Sequence, residues 1–185
     1  MAGACTTVTV LLVALLGQAL HARAGEPKPV RLGPLSAVPP AEWAREKPAN
    51  LLRSAQFKLK SADEALAPAE LAVFPESSPK VKAKFEEWRA TFVPPAGKPA
   101  DEPGTVTTFE LPKATTTHRL DVSGTWKYRE RPRDPKSKEE LRPEYRVIWV
   151  ILVNEDETTH VRLSGPATTV EAHRAAFEAW LKSAK

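Results

Sequence analysis

Six segments of the chain have the hydrophobic and polar pattern of β-strands, whose alternate side chains face opposite sides of a sheet. They cover residues 55–60, 70–74, 105–111, 116–128, 145–153 and 158–163. Residues 145–153 are the most apolar of these segments, which indicates a central strand that is buried on both faces. Residues 154–157, with the sequence Asn-Glu-Asp-Glu, predict a hairpin tip between the last two strands.

Two further segments repeat their apolar residues at helical spacing. The first begins at Ser78-Pro79, where we expect Ser78 to be the N-cap and Pro79 to occupy the first helical position. Pro94-Pro95 is predicted to end this helix. Its apolar stripe comprises Val81, Phe85, Trp88 and Phe92.

The second helical segment lies at the end of the chain. Gly165-Pro166 is predicted to end the strand that precedes it. Thr168 and Glu171 have the T-x-x-E spacing of a capping box, so the helix is expected to begin there. Its predicted apolar face comprises Val170, Phe177, Trp180 and Leu181.

The order of these segments is two strands, a helix, four strands and a helix. A strand that is apolar on both faces needs cover on both sides of its sheet, and two amphipathic helices can provide that cover. The sequence therefore predicts an α+β fold, in which an antiparallel sheet of about six strands is covered by two helices. Trp149 should lie in the central strand, beneath one of the helices.

The beginning of the chain has the pattern of a signal peptide. The apolar run from Val8 to Leu16 is too short to span a membrane, which needs about 20 residues, but it suits a signal-peptide core. Ala22-Arg23-Ala24 then offers the small residues that signal peptidase requires, although no Lys or Arg precedes the run. We expect residues 1–24 to be removed, so that the exported chain begins at Gly25 without the single cysteine and without a membrane span.

Residues 25–50 contain six of the 18 prolines and are predicted to form an extended arm. Trp43 is the large aromatic residue of this arm, and we expect it to pack onto the domain that follows. Residues 51–185 should form a single domain. A chain of 185 residues with 42% hydrophobic and 27% charged residues suits one water-soluble globular domain.

Three groups of residues resemble a group of uncharacterised secreted proteins of planctomycete-type bacteria. They are residues 85–92 (FEEWRATF), 120–126 (LDVSGTW), and 163–170 (LSGPATTV) with Phe177 and residues 180–183. In that group a helix with a Trp-Arg pair, a strand with a D-x-S/T-G-T-aromatic core and a final SGP-x-x-TV helix occur in this order. The ending also resembles that of PsbP-like and Mog-like sandwiches. The resemblance implies a location and a fold but no activity.

Candidate catalytic and metal-binding residues are scarce. His118, His160 and His173 lack a metal-ligand spacing such as H-x-x-x-H, although His118 and His160 could meet across neighbouring strands. The Ser-Gly pairs at 123–124 and 164–165 lack the G-x-S-x-G pattern of a nucleophile turn. We therefore predict no catalytic residue, no cofactor and no metal site.

The most informative polar segment is a basic strip in which cations alternate with other residues. The strip comprises Lys127, Arg129, Arg131 and Arg133. In an extended chain these side chains project from one face, and closely spaced guanidinium groups bind carboxylate, sulfate or phosphate. We hypothesise that the strip binds an anionic envelope polymer or protein partner; the alternative is a solvated connection. Nucleic acid is disfavoured, since export removes the chain from the usual nucleic-acid pools and few aromatic residues interleave.

The leading hypothesis is a secreted or periplasmic, non-enzymatic binding or accessory domain. A cell-envelope hydrolase is one alternative, but it would need paired carboxylates or a nucleophile constellation that the sequence does not show. A structural envelope protein is the other. The binding hypothesis alone expects a stable, specific partner. The ligand, the oligomeric state and the side of the membrane remain open at this stage.

Overall fold

The computed structural model describes residues 28–76, 80–93, 104–113, 115–129 and 134–185. The predicted signal peptide, residues 1–24, lies outside these ranges. The strands in chain order are β1 (Val30–Leu32), β2 (Leu35–Ala37), β3 (Ala44–Glu46), β4 (Ala55–Leu59), β5 (Ala69–Glu76), β6 (Phe92–Val93), β7 (Thr105–Leu111), β8 (Thr115–Tyr128), β9 (Glu140–Val153) and β10 (Thr158–Pro166). The helices are α1 (Val81–Arg89) and α2 (Ala167–Lys182). Within the described ranges, neither helix is long and apolar enough to cross a membrane.

Eight strands form one antiparallel sheet in the order β3-β4-β5-β10-β9-β8-β6, with β7 also paired to β8. Both β6 and β7 lie along the outer edge of β8, because β9 occupies its other edge. The prediction of an α+β fold with an antiparallel sheet and two helices is confirmed, but the sheet has eight strands instead of about six. The two additional strands, β3 and β6, are three and two residues long, too short for an alternating pattern to mark them.

The proline-rich segment before residue 51 is built into the domain. It forms a separate two-stranded sheet, β1–β2, and the edge strand β3. Each of these strands is three residues long, because prolines on both sides limit strand pairing. Trp43 is 3% exposed, and its ring centroid lies 5.5 Å from that of Trp180 and 6.2 Å from that of Phe57. The expected packing of Trp43 on the domain is confirmed.

Helix α2 covers one face of the sheet, which we call the α2 face. The predicted apolar residues of this helix are all buried against β4, β5, β9 and β10. The predicted capping box is wrong: α2 begins at Ala167 without a side-chain cap, and the Thr169 hydroxyl donates to the Ala67 carbonyl. The strand ends at Gly165-Pro166 as predicted, but both residues still belong to it and pair with β9. A Cβ at Gly165 would lie 2.8 Å from the Ala69 Cα, so this close approach requires glycine.

Helix α1 covers the opposite face, which we call the α1 face. Trp149 lies in β9 between β8 and β10, and its ring stacks on that of Trp88 with centroids 3.3 Å apart. The prediction that Trp149 lies in the central strand beneath a helix is therefore confirmed. Phe85 and Trp88 are buried as the helical stripe predicts, and Val81 is partly buried beside them.

The predicted ends of α1 are wrong. The helix begins at Val81 with Lys80 as N-cap, so Ser78 is not the cap; Ser78 and Pro79 lie outside the described residues. The helix ends at Arg89, because the Thr91 carbonyl accepts a bond from the backbone of Lys127 and the chain enters β6. Phe92 of β6 is still buried, packed parallel to the Trp126 ring instead of extending the helical stripe.

Candidate functional site

The α1 face carries partly buried charged residues beside the helix. Arg162 of β10 lies opposite Trp149 of β9 and Ala72 of β5, and its side chain is 15% exposed. Strand neighbours in register share a face of the sheet, so Arg162 points to the same side as α1. The group that surrounds it, which we call the Arg162 site, comprises Arg53, Glu70, Phe74, Trp149 and Arg162.

Glu70 is bound by two guanidinium groups. Arg162 donates from Nη2 to Oε1 at 2.6 Å, and Arg53 donates from Nη1 to Oε2 at 2.8 Å. The same Nη1 of Arg53 donates to Gln56 Oε1 at 2.7 Å. Glu46 joins the group through Gln56, whose Nε2 donates to it at 3.1 Å, and not through an arginine. Two cations therefore share one directly bound carboxylate.

The two charges of the central ion pair adjust to burial in opposite ways. Burial by itself would raise the pKa of Glu70, but the charges and hydrogen bonds of Arg162 and Arg53 outweigh it and lower the pKa. Burial lowers the pKa of Arg162, while Glu70 opposes that effect. Both groups are ionised at neutral pH. The lowered pKa keeps Glu70 deprotonated, and a guanidinium does not deprotonate in proteins.

Several hydrogen-bond donors of the Arg162 site have no partner among the described residues. They are the buried Nε–H groups of Arg53 and Arg162 and the indole N–H of Trp149. A buried donor without an acceptor costs about 1–3 kcal/mol, and such groups in folded proteins usually serve water or a ligand. An acceptor oxygen at this site would satisfy donors that the chain itself leaves unsatisfied.

Aromatic rings surround the Arg162 guanidinium. Its Cζ lies 5.5 Å from the ring centroid of Trp149, 5.6 Å from that of Phe74 and 5.9 Å from that of Trp126. The Cζ of Arg53 also lies 5.6 Å from the Phe74 centroid. The rings exclude water and lower the local dielectric, which strengthens any charge interaction that Arg162 makes.

The histidines do not assemble a catalytic or metal site. His118 and His160 both lie opposite Ile151, one on each side of β9, so a whole strand separates them and they do not meet. His118 contacts the Thr108 hydroxyl at 3.2 Å, and His173 Nε2 donates to the Lys60 carbonyl at 2.8 Å. The described residues contain no group of three or more His, Cys, Asp or Glu that could hold a metal ion.

His160 is buried beside the Arg162 site. Its ring lies edge-on to Trp88 with centroids 5.5 Å apart, and its Nε2 has no partner among the described residues. Burial lowers the pKa of His160 to about 4, with Glu76 acting to raise it and Lys84 to lower it. The imidazole is therefore neutral at neutral pH.

The basic strip is described in part. Lys127 donates from Nζ to the Ala90 carbonyl at 3.1 Å, and Arg129 pairs with Glu139 at 3.3 Å. Arg131 and Arg133 lie outside the described residues. The two described members thus have partners within the chain, and the binding role of the strip stays a prediction.

The sequence interpretation missed Arg53, Glu70 and Arg162. Arg162 had a detectable signal, because it stands between Val161 and Leu163 in a strand with buried residues on both faces. Arg53 and Glu70 had none, since a loop and a separate strand bring them to Arg162. Only the pairing of β4, β5 and β10 places the three charges together.

Comparison with protein families and with curated proteins finds no match. Among solved structures, a Pseudomonas aeruginosa protein of unknown function is similar, with a TM-score of 0.48 and 13% sequence identity. The alignment covers 86% of this chain and 96% of that chain. This likeness bears on neither the ligand nor the activity.

Proposed function

We propose that this chain is an exported, non-enzymatic binding domain that holds an anionic group at the Arg162 site. The observation that carries this proposal is that two largely buried arginine side chains share one carboxylate and that each has an Nε–H without a partner among the described residues. A bound carboxylate, sulfate or phosphate would accept from these donors and balance the second cation.

The basic strip extends the same proposal to a larger partner. It starts one residue after Trp126, whose ring lies 5.9 Å from the Arg162 Cζ. An anionic envelope polymer, attracted by the strip, would place one of its charged groups at the Arg162 site. The strip would thus supply long-range attraction for the polymer, and the Arg162 site would supply short-range binding of one charged group.

Export and the finer fold assignment belong to this proposal too. The apolar run from Val8 to Leu16 and the Ala-x-Ala sequence support a secreted or periplasmic chain that begins at Gly25. Two helices on opposite faces of an antiparallel sheet, with a Gly-Pro pair before the last helix, support a PsbP-like or Mog-like sandwich. Membership of the planctomycete-type secreted group belongs to the proposal on the strength of the motifs at residues 85–92, 120–126 and 163–170 alone.

The test compares two partly buried arginines on opposite faces of the sheet, whose side chains are 15% and 20% exposed. Sulfate is titrated against wild type, Arg162→Gln and Arg146→Gln, with chloride of equal ionic strength as reference, and the Trp fluorescence is recorded. Arg146 is the matched control because it also binds carboxylates, Asp121 and Glu171, but lies on the α2 face. Arg162→Gln should weaken sulfate binding at least about tenfold, which corresponds to about 1.4 kcal/mol.

Arg146→Gln should bind sulfate as wild type does, even where it lowers the melting temperature. Saturable binding of equal strength in Arg162→Gln would contradict the proposal. So would the absence of a sulfate-specific change in wild type.

A further inference from the structure

Strand β7 is an edge strand of the sheet as far as the described residues extend. It pairs with β8 from Thr105↔Asp121 to Leu111↔Thr115 and with no other described strand. Its seven residues make it longer than the other edge strands, β3 and β6. Proteins usually protect such an edge with charges, proline or bulges, but β7 contains one charged residue, Glu110, and no proline. The backbone groups on its outer edge pair with no other described strand and are therefore suited to pair with a strand of another molecule.

We infer that β7 is the interface of a symmetric homodimer, in which two copies of this chain pair antiparallel about Thr108. A two-fold axis across a strand edge pairs that strand with itself in antiparallel fashion. Thr108 is the middle residue of β7, so this register pairs the strand along its whole length, with Thr105 opposite Leu111. Val106 then lies opposite Glu110 of the second copy, and no two like charges face each other.

The surface beside β7 favours a second copy as the occupant. A groove of about 370 Å³ separates α1 from β7 and β8, and Val106 contributes to its apolar wall. Lys82, Glu86 and Arg89 line the same groove, which gives it two cations and one anion. Arg89 also has a buried Nε–H without a partner among the described residues.

The dimer register supplies the missing negative charge. Val106 pairs with Leu120, which packs beneath α1, so residues opposite Val106 lie on the α1 face. Glu110 of the second copy would be such a residue, and it would enter next to Lys82 and Arg89. The two-fold axis repeats this contact, so each copy gives one carboxylate and receives one.

The size of the contact predicts a weak dimer. Stable complexes bury about 1,200–2,000 Å² in total, and pairing of one seven-residue edge with its flanking groove lies near the low end. We expect dissociation in the range of about 1–100 µM. The charge contact should make dimerisation weaker at high salt.

The test is sedimentation equilibrium of the processed chain over about 1–300 µM, a range that brackets the expected dissociation constant. Wild type should pass from monomer to dimer. Thr108→Lys places two lysines opposite each other at the axis and should weaken dimerisation at least tenfold. Ala44→Lys, on the exposed edge strand β3, is the matched control and should dimerise as wild type does. Glu110→Gln should weaken the dimer and reduce its dependence on salt.

Circular dichroism of each variant checks that the fold is retained. Thr108→Lys removes the hydrogen bond between Thr108 and His118, which lies on the surface. If the Thr108→Lys variant fails to fold, Glu110→Lys serves as the disrupting variant. A wild type that stays monomeric throughout, or a dimer that withstands Thr108→Lys and Glu110→Lys, would overturn the inference. Loss of the dimer in Ala44→Lys would assign it to the other edge and would also overturn it.

Discussion

The two faces of the sheet both contain partly buried arginines, but they differ in charge balance. On the α2 face, Arg146 binds Asp121 through two hydrogen bonds of 2.7 Å and also binds Glu171. Arg119 binds Glu178 on the same side. Arg174 contacts Glu171 and Glu178, so three arginines face three carboxylates. On the α1 face, two arginines share Glu70.

The difference in charge balance between the two faces indicates a candidate anion site better than the number of unsatisfied hydrogen-bond donors does. Arg119 also has a buried Nε–H without a partner among the described residues, as do the indole groups of Trp43 and Trp180. These groups lie in a region whose charges are balanced or in an apolar core. At the Arg162 site, unsatisfied hydrogen-bond donors lie beside an excess positive charge. A bound anion would supply both the missing acceptor and the missing negative charge. This difference is the reason why the proposed anion binding is assigned to the α1 face and not to the α2 face.

The hydrogen bonds of Arg146 show how complete the pairing on the α2 face is. They raise the pKa of Arg146, with the Asp121 carboxylate making the largest contribution. An arginine held in this way has little capacity to bind a ligand. The contrast with Arg162 follows first from burial, which lowers the pKa of Arg162, and then from its pairing with a single carboxylate, Glu70.

The largest expected effect is a loss of stability on the α2 face. Phe177 is fully buried between α2 and the sheet, so Phe177→Ala should cost about 3–5 kcal/mol of the roughly 5–15 kcal/mol that stabilises a domain. Trp149→Ala on the α1 face should also lower the melting temperature sharply, though less, because that ring is partly exposed. Denaturant unfolding measures both. A shift of only about 1–2 °C in either variant would contradict the assigned packing.

The next effect concerns the response of the α1 face to acid. The pKa of His160 is about 4 in the folded chain against 6.5 for the ordinary group, so the unfolded chain binds more protons between these values. Stability should therefore fall as the pH decreases from 6.5 to 4, by roughly 2–3 kcal/mol. Glu70, whose pKa is lowered from 4.5, adds a further loss as the pH falls below that value.

The measurement is the free energy of unfolding as a function of pH. His160→Gln should flatten the curve between pH 6.5 and 4, whereas His173→Gln, on the partly exposed side of α2, serves as the matched control. A curve that is equally steep in wild type and His160→Gln would show that His160 is not the group responsible.

The smallest effect on stability is expected for the basic strip. Replacing Arg129, Arg131 and Arg133 together by Gln should leave the melting temperature within a few degrees, because surface ion pairs contribute about 0–1 kcal/mol. Retention on heparin should weaken and its dependence on salt should decrease. Comparing the triple variant with Arg162→Gln separates long-range attraction of an anionic polymer by the strip from anion binding at the Arg162 site. Equal retention of the triple variant across the salt gradient would reduce the strip to a solvated connection.

Much of the fold could be predicted because it follows from local periodicity. The strand at residues 145–153 and the apolar face of α2 agree with the structure, since burial on both faces or along one helical stripe leaves a direct trace in the sequence. The helix caps were predicted wrongly. The capping box expected at Thr168 does not form, because the chain passes directly from β10 into α2 at Ala167. Just before this transition, Gly165 approaches Ala69 so closely that a larger residue would not fit.

The sequence by itself determined the six longer strands of the main sheet and the apolar stripes of the two helices, because these depend on the spacing of residues within about 20 positions of each other. Tertiary structure alone decided which charges meet. Arg53, Glu70 and Arg162 come from a loop and two strands, and β-sheet pairing brings Arg162 to Glu70 across 92 positions of the chain. Such a contact leaves no periodic trace, since each strand specifies its own faces but not its neighbours. The candidate site therefore depends on the order of the strands in the sheet, whereas the core that supports it can be predicted from the hydrophobic pattern of each segment.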